Sequence, residues 1–216
     1  MLIYLYLWVI FILSIWIHEF AHAWTSNKLW DPTPKIQWRL TPNPFKHLDP
    51  IWFFAIFLIN FGRGKPVQVN NSYYKNPWKD ELIVALSGPA SNIVLSTIWV
   101  FCLIFYWKIF LWIESLSWFI MTENNVLMFF SLFSIINIIL GIFNMLPLPP
   151  LDGFRLIKFF YPSVALKMEK NLIYIWLFVL FLLLAPWIWQ HTRWFIINIG
   201  EFIQSLFFTL IWNLLY

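Results

Sequence analysis

Residues 1–17 carry no charged side chain, and the run closes on His18-Glu19-Phe20-Ala21-His22. An apolar stretch of this kind suits a helix that crosses hydrocarbon, which needs about 20 residues at roughly 1.5 Å each. On such a helix His18 and His22 stand four residues apart on one face, close enough to grip one metal ion, with Glu19 beside them to activate a water. A charged side chain at the centre of a bilayer helix costs of order 2.5 kcal/mol or more, so a glutamate flanked by two histidines is expected there only as a functional group.

Composition points to the same environment. Hydrophobic residues are 61% of the 216-residue chain and charged residues 11%, which fits an all-α polytopic membrane protein. Apolar runs recur at Leu2–Trp24, Ile51–Phe61, Leu82–Trp107, Val126–Leu146, Leu172–Trp189 and Trp194–Leu215. Five are long enough to span, giving about five to six transmembrane helices. Ile51–Phe61 has only 11 residues between Pro50 and Gly62, and reads as a re-entrant element lying where protein or water covers its backbone. The stretches Lys35–Leu40 and Pro66–Asn70 read as edge strands of small cytoplasmic β-hairpin segments. The first run lacks the basic flank and small-residue cleavage site of a signal peptide, and cleavage would destroy the histidine motif.

If Ile51–Phe61 turns back, the connections 25–50, 62–81 and 147–171 share a face and hold twelve of the 14 Lys and Arg residues, leaving Lys108 and Arg193 opposite. That bias places the connections, and the end of the first helix with its histidines, at the cytoplasmic side of a multi-pass protein of the cell membrane. The net charge of +4 then reports orientation, and no nucleic-acid partner is required. The single cysteine, Cys102, sits in an apolar run far from the histidines, which argues against thiolate ligation or a cysteine nucleophile.

A catalytic zinc takes a third protein ligand and keeps one position for water. Asp152 is the leading candidate: it follows Pro147, Pro149 and Pro150, which break a long helix, and precedes Gly153, which allows close backbone approach. Asp31 and Asp49 adjoin prolines, where turn formation is the usual role, and Asp80 and Glu81 resemble charges at a helix N-terminus. His47 is the other histidine on this face, either solvated or serving as an accessory or gating group near the metal.

Three motifs in order, H-E-F-A-H at His18–His22, G-P-A-S-N at Gly88–Asn92 and N-M-L-P-L-P-P-L-D-G at Asn144–Gly153, resemble the site-2 protease family of zinc intramembrane metalloproteases. The loops at Thr41–Pro50 and Lys65–Asn70 are similar to its compact prokaryotic branch, which has no inserted PDZ or CBS domain. The resemblance implies one Zn2+ per chain held by His18, His22 and Asp152, with Glu19 as catalytic acid and base. It places Asn92 near the active site, for substrate backbone or developing charge, against a plain helix-packing role beside Gly88–Ser91; Asn144 carries the same two alternatives.

The function this implies is hydrolysis of peptide bonds in or near the transmembrane segment of a single-span, membrane-anchored protein. A non-catalytic metal-binding scaffold or transporter is the alternative, and the near-absence of charge from the remaining long helices argues against a transporter. Residues 1–160 are expected to form the catalytic core and residues 161–216 a C-terminal pair of helices, with the oligomeric partner, if any, unspecified by the sequence.

Overall fold

The computed structural model describes residues 2–47, 65–112 and 125–184, and the single positions 198, 202, 205 and 209. The re-entrant element expected at Ile51–Phe61 lies outside the described residues, as does the last span at Trp194–Leu215 apart from those single positions. Seven α-helices are described: α1 (Leu2–Lys28), α2 (Thr33–Ile36), α3 (Pro77–Trp112), α4 (Asn125–Asn144), α5 (Phe154–Phe160), α6 (Pro162–Lys170) and α7 (Leu172–Leu184). Two of them contain segments long and apolar enough to cross a membrane, Ile3–Lys28 and Pro77–Tyr106, and Met128–Asn144 is a shorter apolar helix.

Local chemistry explains where these helices begin and end. α1 contains neither proline nor glycine, and Lys28 in its last turn complements the negative end of the helix dipole. It stops where Trp30 takes a left-handed φ of 78° and the Asp31 N–H returns to the Ser26 carbonyl at 3.2 Å. α3 starts on Pro77, whose missing N–H is no loss in a first turn, and Asp80 Oδ2 accepts the Asn76 N–H at 2.9 Å. Inside α3, Pro89 interrupts the hydrogen-bond ladder one residue after Gly88, and the Ser91 hydroxyl donates to the Gly88 carbonyl at 2.6 Å.

α3 packs against both α1 and α4, so the three helices form the core. Small residues let α4 approach α3 closely: a Cβ added at Gly141 would lie 3.3 Å from the Pro89 carbonyl oxygen and 3.6 Å from Asn92 Cβ. Farther along the same pair, Trp99 stacks on Phe130 and Phe133 with ring centroids 5.1 and 4.5 Å apart, and Ser96 and Ser134 exchange a buried hydroxyl contact of 2.8 Å. Outward faces stay apolar, as at Tyr4, Leu5 and Val9 on α1, Ile98 and Phe105 on α3, and Leu177 and Phe181 on α7.

The hairpin expected from residues 35–40 and 66–70 has no ladder, and no strand occurs among the described residues. Pro34, fully buried, starts a single helical turn over Thr33–Ile36, and the chain then turns through Trp38 at a φ of 56°. Residues 65–70 have no regular secondary structure and meet the other segment through a side-chain bond, Gln37 Nε2 donating to Gln68 Oε1 at 2.9 Å.

Asp31 holds this region to the core. Its carboxylate is fully buried and accepts from Ser26 Oγ at 2.8 Å, the Thr33 N–H at 2.9 Å and the Asn70 N–H at 2.8 Å. Ser26 Oγ also meets the Tyr74 hydroxyl at 2.7 Å. Burial pushes the Asp31 carboxyl upward, but the donors from Thr33, Asn70 and Ser26 outweigh it and hold the group below its usual value. A depressed native value means that the stabilisation is present above about pH 4 and is lost as pH falls below it. Asp31→Ala should therefore lower thermal stability in detergent by about 1–3 kcal/mol at pH 7, and its deficit relative to wild type should shrink below about pH 4. A deficit that grows on acidification would contradict this account.

Candidate metal centre

His18 and His22 lie on adjacent turns of α1, their ring centroids 4.7 Å apart, and both are buried. Asp152 reaches them from the connection between α4 and α5, its Oδ2 3.0 Å from His18 Nε2 and 3.3 Å from His22 Nε2. The two Nε2 atoms are 3.1 Å apart. These three residues form a group whose ligand atoms all lie within 4.8 Å of one another.

The hydrogen bonds around the triangle decide what belongs at its centre. His18 Nδ1 donates to Asn92 Oδ1 at 2.6 Å, and His22 Nδ1 donates to the Val84 carbonyl at 2.7 Å. Each imidazole therefore uses Nδ1 as a donor and turns Nε2 toward Asp152, where the neutral form offers a lone pair to a metal. Asp152 Oδ2 is buried and has no hydrogen-bond donor. Three such atoms converging at 3.0–3.3 Å repel one another unless a positive charge, a metal ion or a shared proton, joins them. With zinc–nitrogen and zinc–oxygen bonds of about 2.0–2.1 Å, a tetrahedral site has ligand–ligand edges near 3.3 Å, which the observed triangle matches. The donor set, two neutral imidazoles and one carboxylate, also suits zinc and leaves a fourth position for water.

The histidine pair and Asp152 are held by different pieces of chain. Gly88 on α3 permits the histidine pair to pack there: a Cβ at that position would fall 2.7 Å from His18 Cε1 and nearer still to the His22 ring. The connection that carries Asp152 is pinned at three points. The Gly153 N–H donates to the Asn144 carbonyl at 2.7 Å, Trp176 Nε1 on α7 donates to the Pro149 carbonyl at 2.8 Å, and Arg155 pairs with Glu81 at the start of α3. Gly153 is required here because a Cβ would collide with the Met145 carbonyl.

The triangle faces a cavity of about 730 Å³. Phe11, Ile15, Ile139 and Phe143 form its apolar wall, and Pro66, Val67 and Val69 of the segment 65–70 also line it. Glu19, half-buried, lines the same cavity, and its Oε2 accepts the Val67 N–H at 3.1 Å. A carboxylate on the same helix as both histidines and open to the cavity is in a position to take a proton from water held there.

The other residues singled out from the sequence fall at different distances from this centre. Asn92 is fully buried against His18, and its Nδ2 donates to Asn137 Oδ1 at 2.9 Å and toward the Ser14 carbonyl at 3.4 Å. Both of its N–H donors are thus engaged inside the helix bundle, while its oxygen serves the metal-site histidine. Asn144 lines the cavity, but its Nδ2 donates to the Leu140 carbonyl of its own helix at 3.0 Å. His47 is not among the converging ligands: it is fully buried, packs 6.5 Å from the Phe20 ring, and its Nε2 lies 3.3 Å from the Thr41 carbonyl. Burial holds the His47 imidazole below its usual value, and the nearby Arg39 charge acts in the same direction against the Thr41 hydrogen bond. Of the alternatives to Asp152, Asp31 is committed to the turn after α1, Asp80 to the start of α3 and Glu81 to Arg155; Asp49 lies outside the described residues.

Ser14, Asn137, Trp176 and the Val67 N–H were not anticipated from the sequence. Uncharged polar residues inside apolar runs were the available signal for Ser14 and Asn137; a backbone N–H gives none.

A family model described as Peptidase family M50 matches residues 6–185. The chain is 36% identical over 197 residues to YwhC of Bacillus subtilis (strain 168), named as a zinc metalloprotease, covering 91% of this chain and 87% of that protein. It is 25% identical over 194 residues to Rip2 of Mycolicibacterium smegmatis, also named as a zinc metalloprotease, covering 85% of this chain and 70% of that one. No solved structure matches. With the histidine, glutamate and aspartate side chains gathered on one cavity, these similarities establish that the chain belongs to peptidase family M50, the site-2 proteases, and is a zinc metalloprotease.

Proposed function

We propose that this metalloprotease cleaves single-span, membrane-anchored proteins within or next to their transmembrane segments, with His18, His22 and Asp152 as zinc ligands and Glu19 as acid and base. The convergence of the two Nε2 atoms and Asp152 Oδ2 at 3.0–3.3 Å, facing a largely apolar cavity, is the observation that carries this reading. When bound there, zinc supplies a polarised peptide carbonyl and a water of lowered pKa.

The chain's own groups do the rest. Glu19 accepts a proton from the attacking water as the new carbon–oxygen bond forms, then passes it to the amine nitrogen as the peptide carbon–nitrogen bond breaks. Asn92 and the Val84 carbonyl keep each imidazole in the tautomer that presents Nε2 to the metal. The wall of Phe11, Ile15, Ile139 and Phe143 favours an apolar substrate segment and limits bulk water around the reacting bond.

A multi-pass arrangement with the site toward the cytoplasm is part of the proposal. The bare apolar faces of α1, α3 and α7 suit lipid, and twelve of 14 basic residues fall on connections assigned to one side. Peptide hydrolysis needs an unwound substrate; the segment 65–70, which lines the cavity through Pro66, Val67 and Val69, is suited to hold one, with the Val67 N–H donating to Glu19.

Glu19→Gln should retain one zinc per chain by elemental analysis yet lose about a hundredfold or more in cleavage of a single-span substrate in detergent or liposomes. Wild-type cleavage by this variant would sink the assignment of Glu19. Asp152→Ala should surrender zinc to a chelator that wild type withstands; equal retention would remove Asp152 from the ligand set. Gly88→Ala, which changes no polar group, should also weaken zinc binding by displacing both imidazoles, and unchanged affinity would show that the histidines are free to shift.

A further inference from the structure

Three polar residues behind the metal site, Ser14 on α1, Asn92 on α3 and Asn137 on α4, are each completely buried in an otherwise apolar helix bundle. Their hydrogen bonds form one directed chain. Asn137 Nδ2 donates to the Phe133 carbonyl at 2.9 Å and to Ser14 Oγ at 2.9 Å. The Phe133 carbonyl can only accept, and the single hydroxyl proton of Ser14 is given to the Ile10 carbonyl at 2.7 Å, so Ser14 Oγ also accepts. The Asn137 amide therefore has one satisfied orientation, with its oxygen toward Asn92. That oxygen takes the Asn92 N–H at 2.9 Å, which turns the Asn92 oxygen to His18 Nδ1 at 2.6 Å.

We propose that Asn137, with Ser14, is a positioning residue for the metal centre: it fixes the orientation of the Asn92 amide and thereby the tautomer of His18. Were Asn92 to flip, its NH2 would face His18 Nδ1, the imidazole proton would move to Nε2, and the lone pair that faces Asp152 would be lost. Backbone carbonyls on α1 and α4, which cannot reverse their polarity, thus dictate where a ligand of α1 carries its proton. The proposal rests on His18 being a zinc ligand.

Ser96 and Ser134 supply an internal control. They join α3 and α4 by a buried contact of 2.8 Å between the same helices, but no hydrogen bond links them to His18. A packing contribution common to such contacts would appear at both places; a tautomer effect appears only at Asn137.

Zinc affinity of the purified full-length protein, measured by competition with a chromophoric chelator, provides the test. Asn137→Ala should bind zinc about tenfold more weakly, and Asn137→Leu, which fills most of the same volume without an acceptor, should match it if the alanine variant is too unstable to purify. Ser134→Ala should leave the affinity unchanged. In the double variant Asn92→Asp/Asn137→Ala, the carboxylate has an acceptor toward His18 in either orientation, so affinity should return to within about twofold of wild type. Unchanged affinity in both Asn137 variants, an equal loss in Ser134→Ala, or no recovery in the double variant would each overturn the proposal. His18→Ala is measured alongside: if it binds zinc as tightly as wild type, the ligand assignment itself falls, an outcome separate from those concerning Asn137.

Discussion

The hydrogen bond from His18 to Asn92, buried between α1 and α3, is the contact on which the arrangement of the metal site depends. An imidazole inside an apolar bundle has no water to satisfy its second nitrogen, so a protein acceptor must be provided or the ring is left with an unpaired polar group. Once that acceptor is Asn92, the proton sits on Nδ1 and Nε2 is available to a metal. The same logic holds for His22 and the Val84 carbonyl, eight residues or just over two helix turns earlier on α3. Two ligands from one helix are thus oriented by one neighbouring helix, and Gly88 between the two contact points supplies the space the rings occupy.

Asp152 comes to the site by a different route. It rides on a connection that leaves α4 at Asn144, where successive prolines prevent further helix, and returns into α5. The connection's own backbone bonds close only short turns, such as Leu148 N–H to the Leu146 carbonyl and Leu151 N–H to the Leu148 carbonyl, and Trp176, the Arg155–Glu81 pair and the Gly153–Asn144 closure tie it to the helices. The carboxylate that completes the triangle is therefore held by α3, α4 and α7 together. Burial of its Oδ2 beside the two Nε2 atoms calls for a positive charge among them, so a metal bound there would couple its binding to the docking of this connection.

The segment 65–70 shows how an element without regular structure is placed. Asp31 holds the Asn70 N–H, and Glu19 holds the Val67 N–H, so two carboxylates from α1 and its terminal turn satisfy backbone donors that a sheet would otherwise pair. This explains why an extended pattern in the sequence produced no ladder. The segment expected to be its partner instead begins inside the helical turn Thr33–Ile36, and alternation alone carries no information about which acceptor a strand-like segment will find.

The sequence by itself determined which residues are candidates for the site. Spacing of four on a helix put His18 and His22 on one face with Glu19 beside them, and the proline-rich approach marked Asp152 as the remaining candidate ligand, because these are local consequences of helix period and of proline's missing N–H. Apolar run lengths likewise marked α1, α3 and α4 as helices. Only the tertiary structure decided that Asn92 serves His18 instead of presenting its donors to the cavity, that Asn137 and Ser14 stand behind it, and that His47 packs on Phe20 away from the ligands. Those facts depend on the rotation and separation of helices distant in sequence, set by small residues such as Gly88 and Gly141 at the contacts, and no periodicity within a single helix encodes them.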